Sequence, residues 1–142
     1  KKIGNWSEDK FWMYSEDPDI CLKAIKNGKK IALLRNIELK HQHGGSSRRN
    51  IKTTAITKSE VVTSSHVFIH THTLGINRLA LHMAVIVNTL IAWILRTIIT
   101  LPFFWKDFFK ANLFTLIAII KYYLSSLIRW TWKSKRLKNN ES

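Results

Sequence analysis

The chain of 142 residues is long enough for one small domain. Its 23 Lys and Arg residues outnumber 9 Asp and Glu residues, and the formal net charge of +14 favours a polyanionic partner such as an anionic membrane surface. We expect no nucleic-acid partner, because many basic residues flank an apolar tail instead of forming a stripe with interleaved aromatics. The alternative is a solvated basic face. The single cysteine, Cys21, excludes a disulfide within the chain.

The composition changes near residue 77. Residues before this point mix polar and apolar types, whereas residues 79–132 are dominated by Leu, Ile, Phe, Trp and Ala. The chain opens without Met, within what resembles folded sequence. The sequence therefore predicts a small soluble segment followed by a membrane-seeking tail.

A short helix is predicted to start at Asp17 and Pro18. Asp is a preferred N-cap, and Pro fits the first helical position because no backbone N–H is needed there. The helix should end at Asn27 and Gly28, a typical C-cap pair. Its apolar residues recur on one face, at Ile20, Cys21, Ala24 and Ile25.

Two strands and a loop are predicted to follow this helix. Residues 31–34 form an apolar run typical of a short buried strand, and residues 37–41 alternate like a second strand ending in His41. Residues 44–49 form a flexible loop of small residues with a basic end. Residues 53–73 favour a polar helix, although their Thr and Val content weakens that propensity.

The apolar tail is predicted to be helical. Residues 79–95 are close to the roughly 20 apolar residues that a membrane span needs. Pro102 should kink or end the helix, and residues 112–120 are too short to span alone. The tail either crosses the membrane once or lies in the headgroup plane. A buried helical pair in a soluble domain is the alternative.

An acidic pair, Glu16 and Asp17, follows the aromatic residues Trp12 and Tyr14. A carboxylate at a helix N-terminus has a fixed orientation, and aromatic rings can stack on a sugar. The helix dipole favours the ionised carboxylate and so limits its basicity. A general base must be ionised and within hydrogen-bond reach of the hydroxyl that it deprotonates. A plain N-cap role for Asp17 is the alternative.

These residues resemble the C-terminal part of the catalytic domain of family 2 glycosyltransferases, particularly the rhamnosyltransferase-like members. The resemblance covers roughly residues 3–47 and has two parts in the family's order. The first part matches at Gly4, Glu8, Phe11, Trp12, Tyr14, Glu16, Asp17, Asp19, Cys21 and Gly28. The second part is His41, Gly44 and Ser46. The chain departs from the pattern at Pro18, inside the acidic motif, and around Glu8.

The resemblance implies an α/β fold. Residues 1–50 would be the closing portion of a GT-A-type, Rossmann-like catalytic domain. Residues 51–77 would be a connecting helical segment, and residues 78–142 a membrane-associated helical tail. The nucleotide-binding half normally precedes these motifs, so we expect this chain alone to bind the donor poorly and to turn over little or not at all.

The resemblance also implies a reaction: a sugar, with rhamnose the leading candidate, passes with inversion from a nucleotide-sugar donor to an acceptor. The acceptor would be lipid-linked or a growing cell-surface polysaccharide, at the cytoplasmic face of a bacterial membrane. Asp17 would be the catalytic base and Glu16 would support it. Trp12 and Tyr14 would bind substrate.

Donor binding is implied for the second part of the motif. His41 would be a ligand of a divalent cation, Mg²⁺ or Mn²⁺, that neutralises the donor diphosphate. The remaining metal ligands would come from the missing N-terminal half. Gly44, Gly45 and Ser46 would form a loop whose backbone N–H groups face phosphate oxygens.

Two other interpretations compete with a transferase. A non-enzymatic, small basic membrane-anchored protein would explain the charge and the apolar runs, but not the ordered aromatic, acidic, glycine and histidine series. His66 and His70 at helical spacing are candidates for a zinc site, although no Glu lies between them as in His-Glu-x-x-His. Polar-face histidines are the plainer explanation.

Overall fold

A computed structural model describes residues 7, 9–38, 40, 50–129, 131–134, 136 and 137. Within these residues lie four α-helices: α1 Glu16–Lys26, α2 Ile51–His72, α3 Gly75–Thr100 and α4 Asp107–Arg129. A 3₁₀ turn, Leu101–Phe103, joins α3 to α4. No β-strand occurs in this described part of the chain. The predicted α/β, Rossmann-like fold is therefore wrong for it, and the fold observed is all-helical.

The two predicted strands account for this error. Residues 31–34, 37 and 38 have no regular structure and are exposed, and Leu33 is 85% exposed. A strand is stable only when a neighbouring strand pairs with its backbone N–H and C=O groups. The described residues supply no such neighbour, so an apolar composition alone does not make these segments strands. His41, the predicted strand end, lies outside the described residues.

The ends of the helices follow local chemistry. α1 begins at Glu16, one residue before the predicted N-cap Asp17. It ends at the C-cap Asn27, and Gly28 then adopts φ +70°, a left-handed conformation that favours glycine. The Asn50 side chain caps α2 by accepting a hydrogen bond from the Thr53 backbone N–H at 2.8 Å. Pro102 lies in the 3₁₀ turn just after α3, as predicted from its missing N–H.

α2 lies in the middle of the structure, although its sequence is polar. Buried residues occupy several sides of the helix, because α3 and α4 pack on one side and the termini of the described chain pack on another. Most of these buried side chains carry hydroxyl, carboxyl or imidazole groups. The buried set is Ala55, Thr57, Ser59, Glu60, Val62, Thr63, Ser64, His66, Val67 and Ile69.

α3 runs antiparallel to both α2 and α4. Lys58 and His66 of α2 contact Trp93 and His82 of α3 respectively, which fixes the opposite directions of these two helices. The apolar core is small and centres on Ile119 of α4, which is fully buried beside Val62, Tyr122 and Tyr123. Burial of one such aliphatic side chain contributes roughly 1.5–3 kcal/mol to folding.

A polar layer packs against α2, and its C-terminal segment also contacts α3 and α4 through Trp132. It consists of α1, the turn before it and the C-terminal segment after α4. The Ser64 hydroxyl donates to the Met13 carbonyl oxygen, and His72 bonds to Asp19 of α1. Arg136 forms an ion pair with Glu60. Among the described residues, α2 therefore contacts both the polar layer and the α3–α4 hairpin.

Candidate functional site

Asp19 is the carboxylate that fixes the acidic helix in place. It is fully buried and accepts three hydrogen bonds: from Ser7 Oγ at 2.8 Å, Lys23 Nζ at 2.6 Å and His72 Nε2 at 2.8 Å. The His72 Nδ1 atom lies 3.4 Å from Lys26 Nζ, which can only donate, so Nδ1 accepts and Nε2 carries the proton. Asp19 thereby joins α1 to the end of α2.

Two opposing effects act on the Asp19 carboxyl group. Burial raises its pKa, but the hydrogen bonds from Lys23, Ser7 and His72 and the Lys23 charge outweigh burial. The net result is a pKa below the ordinary value for aspartate. The group is therefore held ionised, as a buried structural anchor with both oxygens engaged in hydrogen bonds.

The turn before α1 has an unusual backbone. Tyr14 and Ser15 adopt φ values of 70° and 67°, in the left-handed region that non-glycine residues rarely occupy. Such backbone strain costs on the order of 1–3 kcal/mol per residue and persists only where surrounding contacts impose it. The bond from Ser64 to the Met13 carbonyl and the Asp19 anchor supply those contacts on either side of the turn.

The two predicted catalytic carboxylates lie directly after this turn. Asp17 is exposed, whereas Glu16 is half-buried, and its Oε2 atom is buried with no hydrogen-bond partner among the described residues. Trp12 and Tyr14 are each 38% exposed, so part of each ring is open to a ligand. The structure therefore brings all four of these predicted site residues to one turn at the N-terminus of α1.

The donor side of the predicted site consists of four residues. His41, Gly44, Gly45 and Ser46 lie outside the described residues. Among the residues that are described, no three His, Cys, Asp or Glu side chains converge in a way that would hold a metal ion. The described residues therefore do not by themselves form a binding site for a divalent cation.

A buried polar cluster was missed from the sequence. His66 is fully buried, and its Nδ1 atom lies 2.8 Å from Nδ1 of His82, while its Nε2 atom lies 3.2 Å from the Tyr123 hydroxyl. The Trp132 ring stacks on both imidazoles, with centroids 4.4 and 4.3 Å away. His82 interrupts the apolar run at 79–95, and that interruption is the one sequence signal that could have indicated an inward-facing partner.

This cluster favours neutral imidazoles. Burial, together with the neighbouring His82 ring, lowers the pKa of His66 to about 3. Two neutral rings can share the short Nδ1–Nδ1 bond because one donates and the other accepts. The zinc hypothesis for His66 and His70 finds no support, since His66 is buried in this cluster while His70 is exposed.

The α3–α4 hairpin has the opposite character. Two of its segments, Gly75–Phe103 and Asp107–Arg129, are long and apolar enough to cross a membrane, and the first is almost entirely exposed. Large apolar side chains on the outside of a soluble monomer rarely form a patch this extensive. These helices indicate that the chain associates with a membrane.

Comparisons with protein-family models, curated proteins and solved structures find no match to this chain. The resemblance to family 2 glycosyltransferases therefore stays a prediction from the motif residues.

Proposed function

We propose that this chain is the membrane-bound, acceptor-side part of a bacterial sugar transferase that acts at the cytoplasmic face of the membrane. The α3–α4 hairpin holds the chain on the bilayer, and the turn at residues 12–17 presents the catalytic base to the acceptor hydroxyl. The sugar comes from a nucleotide-sugar donor, with rhamnose the leading candidate. The acceptor is a lipid-linked or growing cell-surface polysaccharide.

The exposed apolar surface of α3 is the observation that carries the membrane part of this proposal. A lipid-linked acceptor stays in the membrane, so a transferase that acts on it gains from binding the same surface. The cytoplasmic side is favoured because nucleotide sugars are made there and because basic residues next to membrane helices prefer that side.

The strained turn supports the sugar-transfer part. Asp19 is fully used as an anchor, which leaves Asp17 as the exposed carboxylate of the α1 N-terminus. The partly exposed Trp12 ring offers a flat apolar face of the kind that packs against a sugar. The donor side of the proposal, with His41 and a Mg²⁺ or Mn²⁺ ion, rests on the resemblance alone.

In this mechanism Asp17 removes the proton from the acceptor hydroxyl as its oxygen attacks the anomeric carbon of the donor. The bond from that carbon to the nucleoside diphosphate breaks, and the configuration inverts. Glu16 is next to the base in sequence and half-buried, which suits the supporting role that the resemblance gives it. A general base must be ionised and within hydrogen-bond reach of this hydroxyl, and Asp17 is exposed to an incoming acceptor.

The test is sugar transfer in membranes that contain the full-length protein encoded by the gene, with nucleotide sugars as donors and the lipid fraction as product. We expect Asp17→Asn to lower the rate by roughly 10²–10⁴-fold, the usual contribution of a general base. Asp107→Asn is the matched control, because it removes an exposed carboxylate from the first turn of α4, away from the site. Equal rates for the two variants would remove Asp17 from the base role.

One contact favours the second candidate, a non-enzymatic membrane anchor. The Arg136 guanidinium lies 5.3 Å from the centroid of the Trp12 ring and covers one face of it. A protein with only an anchoring role needs no open ring there. This candidate predicts membrane binding with no transfer for any donor, whereas the transferase predicts both.

A further inference from the structure

The α3–α4 hairpin need not cross the bilayer to be bound by it, and the way α2 packs distinguishes the two arrangements. We propose that α3 and α4 lie in the plane of one anionic leaflet, with the outer face of α3 in the lipid and the polar layer in water. This inference rests on the proposed membrane association and specifies its geometry.

The path of the chain supplies the first argument. Asp19 and Lys26 of α1 contact His72, at the C-terminal end of α2. α2 begins at Ile51, about 33 Å away for a helix of 22 residues. Because α2 runs antiparallel to α3, this beginning lies at the same end of the molecule as the 3₁₀ turn between α3 and α4. We call it the hairpin end, defined by Ile51, residues 101–103 and Asp107.

A spanning hairpin would put its hairpin end on the far side of the membrane from α1. Residues 27–50 would then have to cross the hydrocarbon. Residues 27–38 of this connection are described, and they have no helix or strand and include Lys29, Lys30, Arg35 and Glu38. Backbone groups without partners cost several kcal/mol each in lipid, so such a segment does not cross. With α1 docked on α2, the hairpin end must stay on the same side as α1.

The layer order supplies the second argument. The contacts of the polar layer reach along α2 from Glu60 to His72, about half the length of the helix. In a spanning arrangement the charged groups of this layer, including Lys23 and Arg136, would lie at the depth of the hydrocarbon. In the in-plane arrangement these charged groups can stay at the water side of α2, where Lys23 binds Asp19 and Arg136 binds Glu60.

The lysines of α4 supply a third argument. Lys110 and Lys121 are both exposed and lie eleven positions apart on the helix, a rise of only about 17 Å. The hydrocarbon core of a bilayer is about 30 Å thick. For a helix in the interface, both ammonium groups can reach the headgroups while their stems cover apolar surface.

The outer face of α3 is suited to one leaflet. Its exposed residues form a stripe at helical spacing with no charged side chain: Ile76, Met83, Val87, Ile91, Ile94 and Ile98. Trp93 lies at the α2–α3 boundary, where Lys58 and Arg96 are 5.5 and 5.1 Å from its ring centroid. An interfacial tryptophan beside two cations fits the level of the lipid phosphates.

Charge complementarity identifies the leaflet as anionic. The exposed charged residues of the hairpin include one acid, Asp107, within the described residues 75–129. The basic residues exposed on the same helices are Arg96, Lys106, Lys110, Lys121 and Arg129. Each basic side chain near an anionic surface adds about 1 kcal/mol of binding.

Labelling with a membrane-impermeant maleimide tests the topology in oriented vesicles. Cys21→Ser provides a background without native cysteine, and single cysteines are then placed at exposed lysines. Lys106→Cys and Lys52→Cys report on the hairpin end, and Lys29→Cys marks the side of α1. We expect all three to be labelled in inside-out vesicles and none in right-side-out vesicles.

Labelling of Lys106→Cys from the external side, or from neither side, overturns the in-plane arrangement. Recovery of the protein in the supernatant after sedimentation with vesicles that contain anionic lipid would contradict the proposed membrane association itself. The two failures are therefore distinct. Depth-dependent quenching gives an independent measurement. A fluorophore at Met83→Cys, Ile91→Cys or Ile98→Cys should be quenched best by a shallow lipid label at all three sites, whereas a span predicts the deepest quenching at Ile91.

Discussion

α2 and α3 have similar lengths and opposite environments. Ten of the 22 residues of α2 are buried, and most of them are polar. Only two of the 26 residues of α3 are buried, His82 and Thr89, and both are polar as well. Most large apolar side chains of α3 instead lie on its outside, whereas Ile86, Leu90 and Trp93 pack against the core.

The two helices therefore have different surroundings. A polar helix can lie inside a protein only if its groups find partners, as Ser64 does with Met13 and His66 with His82. An apolar helix can lie outside only if its surroundings are not water. These two helices thus differ from those of a soluble helical bundle, because the polar helix is largely enclosed and the apolar helix is largely exposed.

The largest expected change in stability comes from breaking a buried ion pair in the polar interior. Glu60 is 1% exposed and pairs with Arg136, while its Oε1 atom has no partner among the described residues. Arg136→Ala leaves the buried carboxylate uncompensated, and we expect a loss of about 3 kcal/mol in unfolding free energy. Chemical denaturation in lipid nanodiscs measures it.

Lys133→Ala is the control for this prediction, because Lys133 is an exposed cation in the same segment. It should change stability by less than about 0.5 kcal/mol. Adding Glu60→Gln to Arg136→Ala should restore part of the loss, since the amide carries no charge to bury. Similar stabilities for Arg136→Ala and Lys133→Ala would show that the ion pair contributes little.

The parts of the fold that depend on neighbours in sequence were predictable. Asn27 and Gly28 end α1 because a left-handed residue closes a helix regardless of its surroundings, and Pro102 ends α3 because it lacks an N–H. The strand predictions for residues 31–34 and 37–41 were wrong in the described part of these segments, for the opposite reason. Strand formation depends on a partner from elsewhere in the chain, and local composition carries no information about it.

The site shows the same division. The sequence placed Glu16, Asp17 and Asp19 together at a helix start, but it could not distinguish the anchor from the exposed acids. Asp19 becomes the anchor through His72, 53 residues away along the chain. Likewise, His66 looked like a polar-face histidine, because its partners Tyr123 and His82 belong to helices whose packing no local pattern specifies.

A smaller effect is expected from charging the outer face of α3. Ile91→Lys places an ammonium group in the apolar stripe and removes an exposed isoleucine from contact with lipid. We expect binding to anionic vesicles to weaken by about 2 kcal/mol, from the lost apolar burial alone. Val61→Lys is the matched control, because Val61 is an exposed aliphatic residue on α2, away from the stripe. Equal vesicle affinities for the two variants would contradict a lipid-facing α3.

Near neutral pH, the smallest change in stability comes from protonation of the buried histidine cluster. His66 has a pKa of about 3 in the folded protein against an ordinary value of 6.5. Between these values the unfolded chain binds a proton that the folded chain does not, so stability must fall as the pH falls below about 6.5. The expected slope from His66 is about 1.4 kcal/mol per pH unit once its unfolded imidazole is protonated. His82, whose pKa burial lowers to about 4, adds to this slope in the same pH range.

Asp19 acts in a different pH window, which makes the two groups separable. Its pKa lies below the ordinary value of 3.8, so the stability that it contributes is present above that value and is lost only as the pH falls through its lower folded pKa. Unfolding measured from about pH 7.5 to pH 5 therefore reports on the histidine cluster and leaves the Asp19 anchor ionised throughout. His66→Gln keeps a hydrogen-bonding side chain of similar length but does not titrate, so it should reduce the slope and leave the part that comes from His82. An unchanged slope in that variant would mean that water reaches His66 in the folded protein, and α2 would then be less enclosed than its contacts with α3 and α4 require.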